Sequence, residues 1–237
     1  MNLSKYNYDY MIDKIGKPVD RTEWGMTPPT VNAYSNASMN EIVFPAGILQ
    51  PPFFDPNADD ASNYGGMGAV IGHEISHEFD DQGNKFDAEG NMENWWTPDD
   101  RKKFDERAQA VVNQYDHYTV LDSVHVNGKL TLGENIGDLG GTAVAYDALQ
   151  LALAKNGRPG LIDGLTPEQR FFVAWANVWA GKMRDDALLN QVKTNPHSPG
   201  QFRSYGPLSN MQHFFDAFNI KPGDPMRRPD SLIAKIW

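Results

Sequence analysis

The sequence predicts a mainly helical fold with a small β component (α+β), built as one domain over residues 1–237. Two long stretches carry apolar residues at helical spacing, and short β-branched runs are hemmed in by prolines. No internal repeat, low-complexity segment or linker-like stretch divides the chain.

Taken in order, residues 1–15 read as a short helix, stopped by Pro18 and the Pro28-Pro29 pair. Val31 to Tyr34 and Ile42-Val43-Phe44 fit short strands, and Pro51-Pro52 ends that region. Met67, Val70, Ile71 and Ile75 place a first central helix over residues 67–81, with Gly83 positioned to terminate it. Residues 99–116 form a charged amphipathic helix. Asn127-Gly128, between Val124-His125-Val126 and the run Lys129 to Leu132, predicts a hairpin turn. A second central helix spans about 134–155. Pro167 opens another that leads into the apolar run 171–179, and residues 209–218 form the last.

Composition narrows the chemistry. The 31 acidic residues outweigh 21 basic ones, the net charge is -10, and no basic run interrupts the chain, which argues against nucleic acid as a partner. With no cysteine, a disulfide framework and a thiolate metal site are both excluded, so a metal would rest on His, Asp or Glu. No apolar stretch approaches the ~20 residues of a membrane span, and the first six residues lack a signal-peptide profile. The expectation is a soluble chain without a membrane segment; cytoplasmic or exported location and the oligomeric state stay open.

The strongest chemical signal is His73-Glu74-Ile75-Ser76-His77 in the first central helix. Four residues advance a helix by roughly 400°, which brings both imidazoles onto one face, one turn apart, able to grip one ion. Glu74 lies aside from that pair, in the place of a general base that activates a zinc-bound water for amide hydrolysis. A catalytic zinc needs a third protein ligand and one open position. The carboxylate that some families place about 19 or 20 residues after the second His is absent, since Trp96 and Thr97 stand there. The pattern with a nearby third His also fails, at Asp80 and Gly83. Gly133-Glu134-Asn135-Ile136-Gly137-Asp138 opens the second central helix, with Glu134 and Asp138 one turn apart on a shared face. Glu134 could ligate while Asp138 orients His73. Equally, Thr131 and Glu134 match a helix capping box, and spacing alone leaves the two open. Gly90 to Asn94 faintly suggests an exopeptidase signature on the wrong side of the zinc helix, and reads as a loop.

Together with these motifs, Val31-Asn32-Ala33-Tyr34, Ile42 through Phe54, Gly72 through Asp81, Leu132 through Gly141, His197 through Arg203 and the terminal Trp237 resemble the neprilysin and endothelin-converting-enzyme family of zinc metallopeptidases. The resemblance covers most of the chain from about residue 30. It implies a thermolysin-like zincin domain with two central zinc-binding helices. One Zn2+ per chain would be held by His73, His77 and Glu134, with Asp138 behind His73. His197 would stabilise the oxyanion, and Arg203 would hydrogen-bond a substrate carbonyl. Asn32 and Ala33 would pair with the substrate backbone as an added strand. Ile48, Phe53, Val70, Val178 and Trp179 would line an apolar pocket for the residue after the cut bond. The activity implied is endopeptidase cleavage of oligopeptides on the amino side of bulky hydrophobic residues. A zinc-binding but catalytically incomplete peptide-binding fragment is the rival, and an exopeptidase the third reading.

Family members also carry a helical cover domain ahead of this region, for which these 237 residues have no room. The chain is then either a truncated catalytic portion or a stand-alone form with an open site. Glu78 and Ala69 stand where the family commonly has a small and a larger residue, which suggests a roomier pocket. The lack of cysteine points to a bacterial-type member.

Overall fold

The computed structural model describes residues 3–237. Helix α1 (Leu3–Ile12) has no buried residue. The first two residues of the helix expected over 1–15 lie outside the described residues. Strands β1 (Tyr34–Asn36) and β2 (Glu41–Val43) form an antiparallel pair with Tyr34 opposite Val43. Pairing stops there because the next partners along β2 lead into Pro45, which has no N–H to donate. Residues 31–33 therefore precede the ladder instead of belonging to it, contrary to the strand expected over Val31 to Tyr34.

The first central helix is composite. The Asp59 side chain caps α2 (Asp60–Asn63), a π-helical turn follows over Tyr64–Gly68, and α3 (Ala69–His77) continues from it. The helix ends at His77, short of the expected 81. Asp80 Oδ1 accepts the N–H groups of Gln82 at 2.7 Å and Gly83 at 2.9 Å, and this local capture turns the chain before Gly83 is reached. Helix α4 (Pro98–Asp116) is capped by Thr97, whose hydroxyl accepts from Asp100 N.

The hairpin lies earlier than the sequence suggests. Strands β3 (Thr119–Leu121) and β4 (Val124–His125) turn around Asp122, which has φ 48. Asn127 serves another purpose: its Oδ1 accepts Leu130 N at 3.0 Å and its carbonyl accepts Thr131 N at 3.1 Å, leading the chain into α5 (Leu132–Asn156). Helix α6 (Pro167–Val178) carries a full Thr166–Gln169 capping box. Helices α7 (Asp185–Thr194) and α8 (Gly200–Leu208) were not anticipated. Pro199 and Gly200 read as breakers, yet they stand at the N-terminus of α8, where a missing N–H costs nothing. Helix α9 (Gln212–Phe218) completes the α-helices of the described residues, and a 3-10 turn over Asp230–Leu232 follows it.

Helix α5 is the axis of the molecule. Its N-terminal half, through Ile136 and Leu139, packs with Phe104, Val111, Phe202 and Ile236. Its C-terminal half, through Tyr146, Leu149 and Leu153, packs with Phe171, Phe172, Trp175 and Phe215. Full burial of such side chains stabilises by about 1.5–3 kcal/mol each. Against α5 lies α3, running antiparallel: Gly133 faces Asp80, and Gly141 faces Ala69 and His73. The backbones meet so closely that a Cβ on Gly141 would fall 2.5 Å from His73 N and 2.6 Å from Ala69 O. Gly141→Ala is therefore expected to cost about 2–3 kcal/mol through forced helix separation. Urea unfolding checks this against Gly160→Ala, where nothing lies within 4 Å and little change is expected.

Candidate metal centre and cleft

The antiparallel contact of α3 and α5 brings three ligand residues together. His73 Nε2 and His77 Nε2 lie 3.0 Å apart, Glu134 Oε2 lies 3.3 Å from the first, and Glu134 Oε1 lies 3.7 Å from the second. Tetrahedral zinc with bonds of about 2.0–2.1 Å sets its ligand atoms about 3.3 Å apart, so the spacing fits one ion. The donor set is the two-His, one-Glu type of catalytic zinc sites. Glu134 Oε2 is also buried without a hydrogen bond, with Arg203 Nη2 at ion-pair distance of 3.4 Å, which leaves it a lone pair for a cation.

Each imidazole is held from behind by a carboxylate. His73 Nδ1 lies 2.9 Å from Asp138 Oδ1, and His77 Nδ1 lies 2.7 Å from Asp80 Oδ2. Such partners fix the ring so that Nε2 faces the ion. Gly137 makes room for the His73 ring, since a Cβ there would lie 2.7 Å from Nδ1. The capping-box alternative for Glu134 does not form: Thr131 makes no side-chain cap bond, and its hydroxyl donates to Asn127 O at 3.1 Å.

Electrostatics favour a cation here. Burial works against a charged His73, but Asp138 and Glu134 outweigh it and raise its pKa to about 9. Burial also pushes the Glu134 carboxyl up, yet His73 and Arg203 carry it down to about 2. Both effects describe an anionic cradle seeking positive charge, which an ion can supply in place of the proton. Burial lifts the Glu74 carboxyl above the ordinary glutamate range, as suits a proton acceptor.

A cleft of about 1370 Å³ opens over this centre. His73, Glu74, His77, Glu134 and Asp138 line it, as do His197, Arg203, Asn32, Ala33, Ile48, Phe53, Val70 and Trp179. Ala33, Ile48, Met67 and Val70 form one small apolar cluster with Phe53 against it. His197 Nε2 lies 3.2 Å from Glu134 Oε1, and its Nδ1 lies 2.9 Å from Asn195 Oδ1. Arg203 sits over the Trp179 ring, 4.0 Å from its centroid. Its Nε and Nη2 donate to the two Asp138 oxygens at 2.8 and 2.7 Å, a bidentate pair.

Two expectations are corrected. Val178 is not among the cleft-lining residues: it and Trp179, the residue that ends α6, both pack against the core formed by α5, α6 and α9, and Trp179 alone of the two also meets the cleft and Arg203. Ala69 is fully buried in the same core beside Gly141, so its small size leaves the pocket unchanged. Glu78 accepts a hydrogen bond from Ser35 Oγ, tying the end of α3 to β1. Gly90 to Asn94 is a loop with a single bridge, Phe86 to Met92. Sequence reasoning missed Asp80 as the partner of His77; the signal was a carboxylate three residues beyond the second His, within reach of a ring at a helix end.

Fold and site define a zincin-type metallopeptidase centre: two helices, an HExxH pair and a glutamate from the second helix. The sequence profile of Peptidase family M13 matches residues 32–231. The chain is 47% identical to the endothelin-converting enzyme homolog of Locusta migratoria, over 95% of this chain and 31% of that protein. It is 41% identical to endothelin-converting enzyme 1 of Homo sapiens, over 100% of this chain and 31% of that one. Among solved structures, the Mycobacterium tuberculosis zinc metalloprotease ZMP1 in complex with inhibitor superposes with a TM-score of 0.93 at 51% identity, covering 98% of this chain and 36% of that one. This chain belongs to peptidase family M13. It spans about a third of the length of these relatives. Among the described residues, no helix is long and apolar enough to cross a membrane.

Proposed function

We propose that this chain is the catalytic domain, over residues 1–237, of a zinc endopeptidase that cuts oligopeptides before bulky hydrophobic residues. The observation that carries the reading is the convergence of His73, His77 and Glu134 on one point, with Glu74 on the same cleft wall. One Zn2+ per chain, held by those three, would polarise the scissile carbonyl and acidify the attacking water. Glu74 takes the proton of that water and passes it to the leaving amine. His197 faces the same space, and as the imidazolium, with Nδ1–H given to Asn195 Oδ1, it would donate from Nε2 to the developing oxyanion. Arg203 has Nη1 left after pairing with Asp138, and this donor reaches a substrate carbonyl. Asn32 and Ala33, just before β1, pair with the substrate backbone in extended form. Ile48, Phe53, Val70 and Trp179 receive the side chain after the cut bond.

The test joins metal analysis with product mapping on a peptide library whose termini are blocked. Expected are one zinc per chain, cuts at internal bonds before Phe, Leu or Ile, and activity lost on chelation and regained with zinc. No cleavage of the blocked library, with cleavage of its unblocked counterpart, would reject endopeptidase action. Because the chain spans 31% of its relatives, a second reading is a zinc-binding fragment that needs further chain to complete its cleft. Full zinc occupancy with no cleavage would favour it.

A further inference from the structure

A buried polar chain joins α5 to the segment that carries His197. Asn135, the residue after Glu134, is fully buried, as are Thr131 and Ser198. Asn135 Nδ2 donates to Thr131 Oγ1 at 2.8 Å, and its Oδ1 accepts the Ser198 hydroxyl at 2.8 Å. Thr131 Oγ1 donates its own proton to the Asn127 carbonyl at 3.1 Å. That commitment dictates the sense of every bond: Thr131 can only accept, so the amide turns its NH2 to Thr131 and its oxygen to Ser198.

His197 needs such an anchor. Its side chain is 43% exposed, so packing alone does not hold the ring. Its hydrogen bonds are to its own loop or to α7: its N–H and ring Nδ1 meet Asn195 Oδ1 at 2.9 Å, and its carbonyl accepts Gln191 Nε2 at 3.2 Å; its Nε2 lies 3.2 Å from Glu134 Oε1, an atom a bound ion would claim. The Ser198 hydroxyl links the adjoining residue to the helix that carries Glu134, Asn135 and Asp138. We propose that Asn135, acting through Ser198, is a positioning residue that holds His197 over the reaction centre. This rests on the reading of His197 as the oxyanion donor. An amide–hydroxyl bond between buried groups fixes separation and direction without adding charge beside Glu134.

Ser198→Ala, His197→Ala and the double variant test this, zinc-loaded on an internally quenched peptide and metal-free by hydrogen exchange. Ser198→Ala is expected to lower kcat about tenfold with KM within about twofold, and to cause no further loss once His197 is Ala. Metal-free, it should speed exchange of amides 195–199 about tenfold while α5 stays protected. Equal losses in both backgrounds, as from a merely structural role, or an unchanged kcat would overturn the proposal. Full turnover by His197→Ala would remove the reading beneath it, and the proposal with it. Unchanged exchange in Ser198→Ala overturns the anchor by itself, whatever the turnover. Asn135→Leu, which deletes both amide bonds, is expected to match Ser198→Ala in each readout.

Discussion

Glu74→Gln lowers kcat by about 10³-fold or more while zinc stays bound, the expected result if this carboxylate moves the proton. The substitution keeps size and shape and removes only the basic oxygen. Because Glu74 lies beside the ligand pair and is not one of it, the metal content of the variant should match the unaltered chain. Stability should be equal or slightly higher, since a buried carboxylate lifted above its ordinary range gives way to a neutral amide. Metal analysis, a urea melt and steady-state kinetics on one preparation make the check. A turnover within tenfold of the unaltered chain would reject Glu74 as the base.

Arg203→Met should be the most damaging single change to stability, at about 3–5 kcal/mol. Asp138 is wholly buried, and Arg203 supplies both hydrogen bonds to its oxygens other than the His73 contact. Without the guanidinium, a desolvated carboxylate faces only the imidazole. The Asp138 carboxyl is held low by Arg203 against the opposing effect of burial, so removing Arg203 leaves burial to act. Arg203→Met combined with Asp138→Asn should unfold at a higher urea concentration than Arg203→Met alone, because no uncompensated charge remains. A single variant within 1 kcal/mol of the unaltered chain, by the usual magnitude for buried pairs, would refute this account.

Much of the site was legible because its chemistry sits at fixed helical spacing. His73 and His77 share a face in any helix, and Glu134 and Asp138 do likewise. That these two faces oppose each other was not legible from spacing; it follows from the close approach at Gly72 and Gly141, a tertiary contact. The misplaced hairpin has a similar origin. Asn127-Gly128 has the composition of a tight turn, but the Asn127 side chain is drawn to Leu130 N, a local competition that pattern cannot weigh. Helix α8 was hidden by residues that usually end helices, here standing at its start. Val178 and Trp179 are adjacent, apolar and packed against the same core, and only the angular position at the helix end lets Trp179 reach the cleft as well.

The separation of the ligands along the chain has one more consequence. His77 and Glu134 are divided by residues 78–133, which include the whole of α4 and the β3–β4 hairpin. In a polypeptide devoid of sulfur bridges, an ion clasped by both ends would act as a staple on the folded state, closing that long excursion and adding its binding free energy to stability. Metal loss would then loosen the hairpin lobe as well as silence the centre.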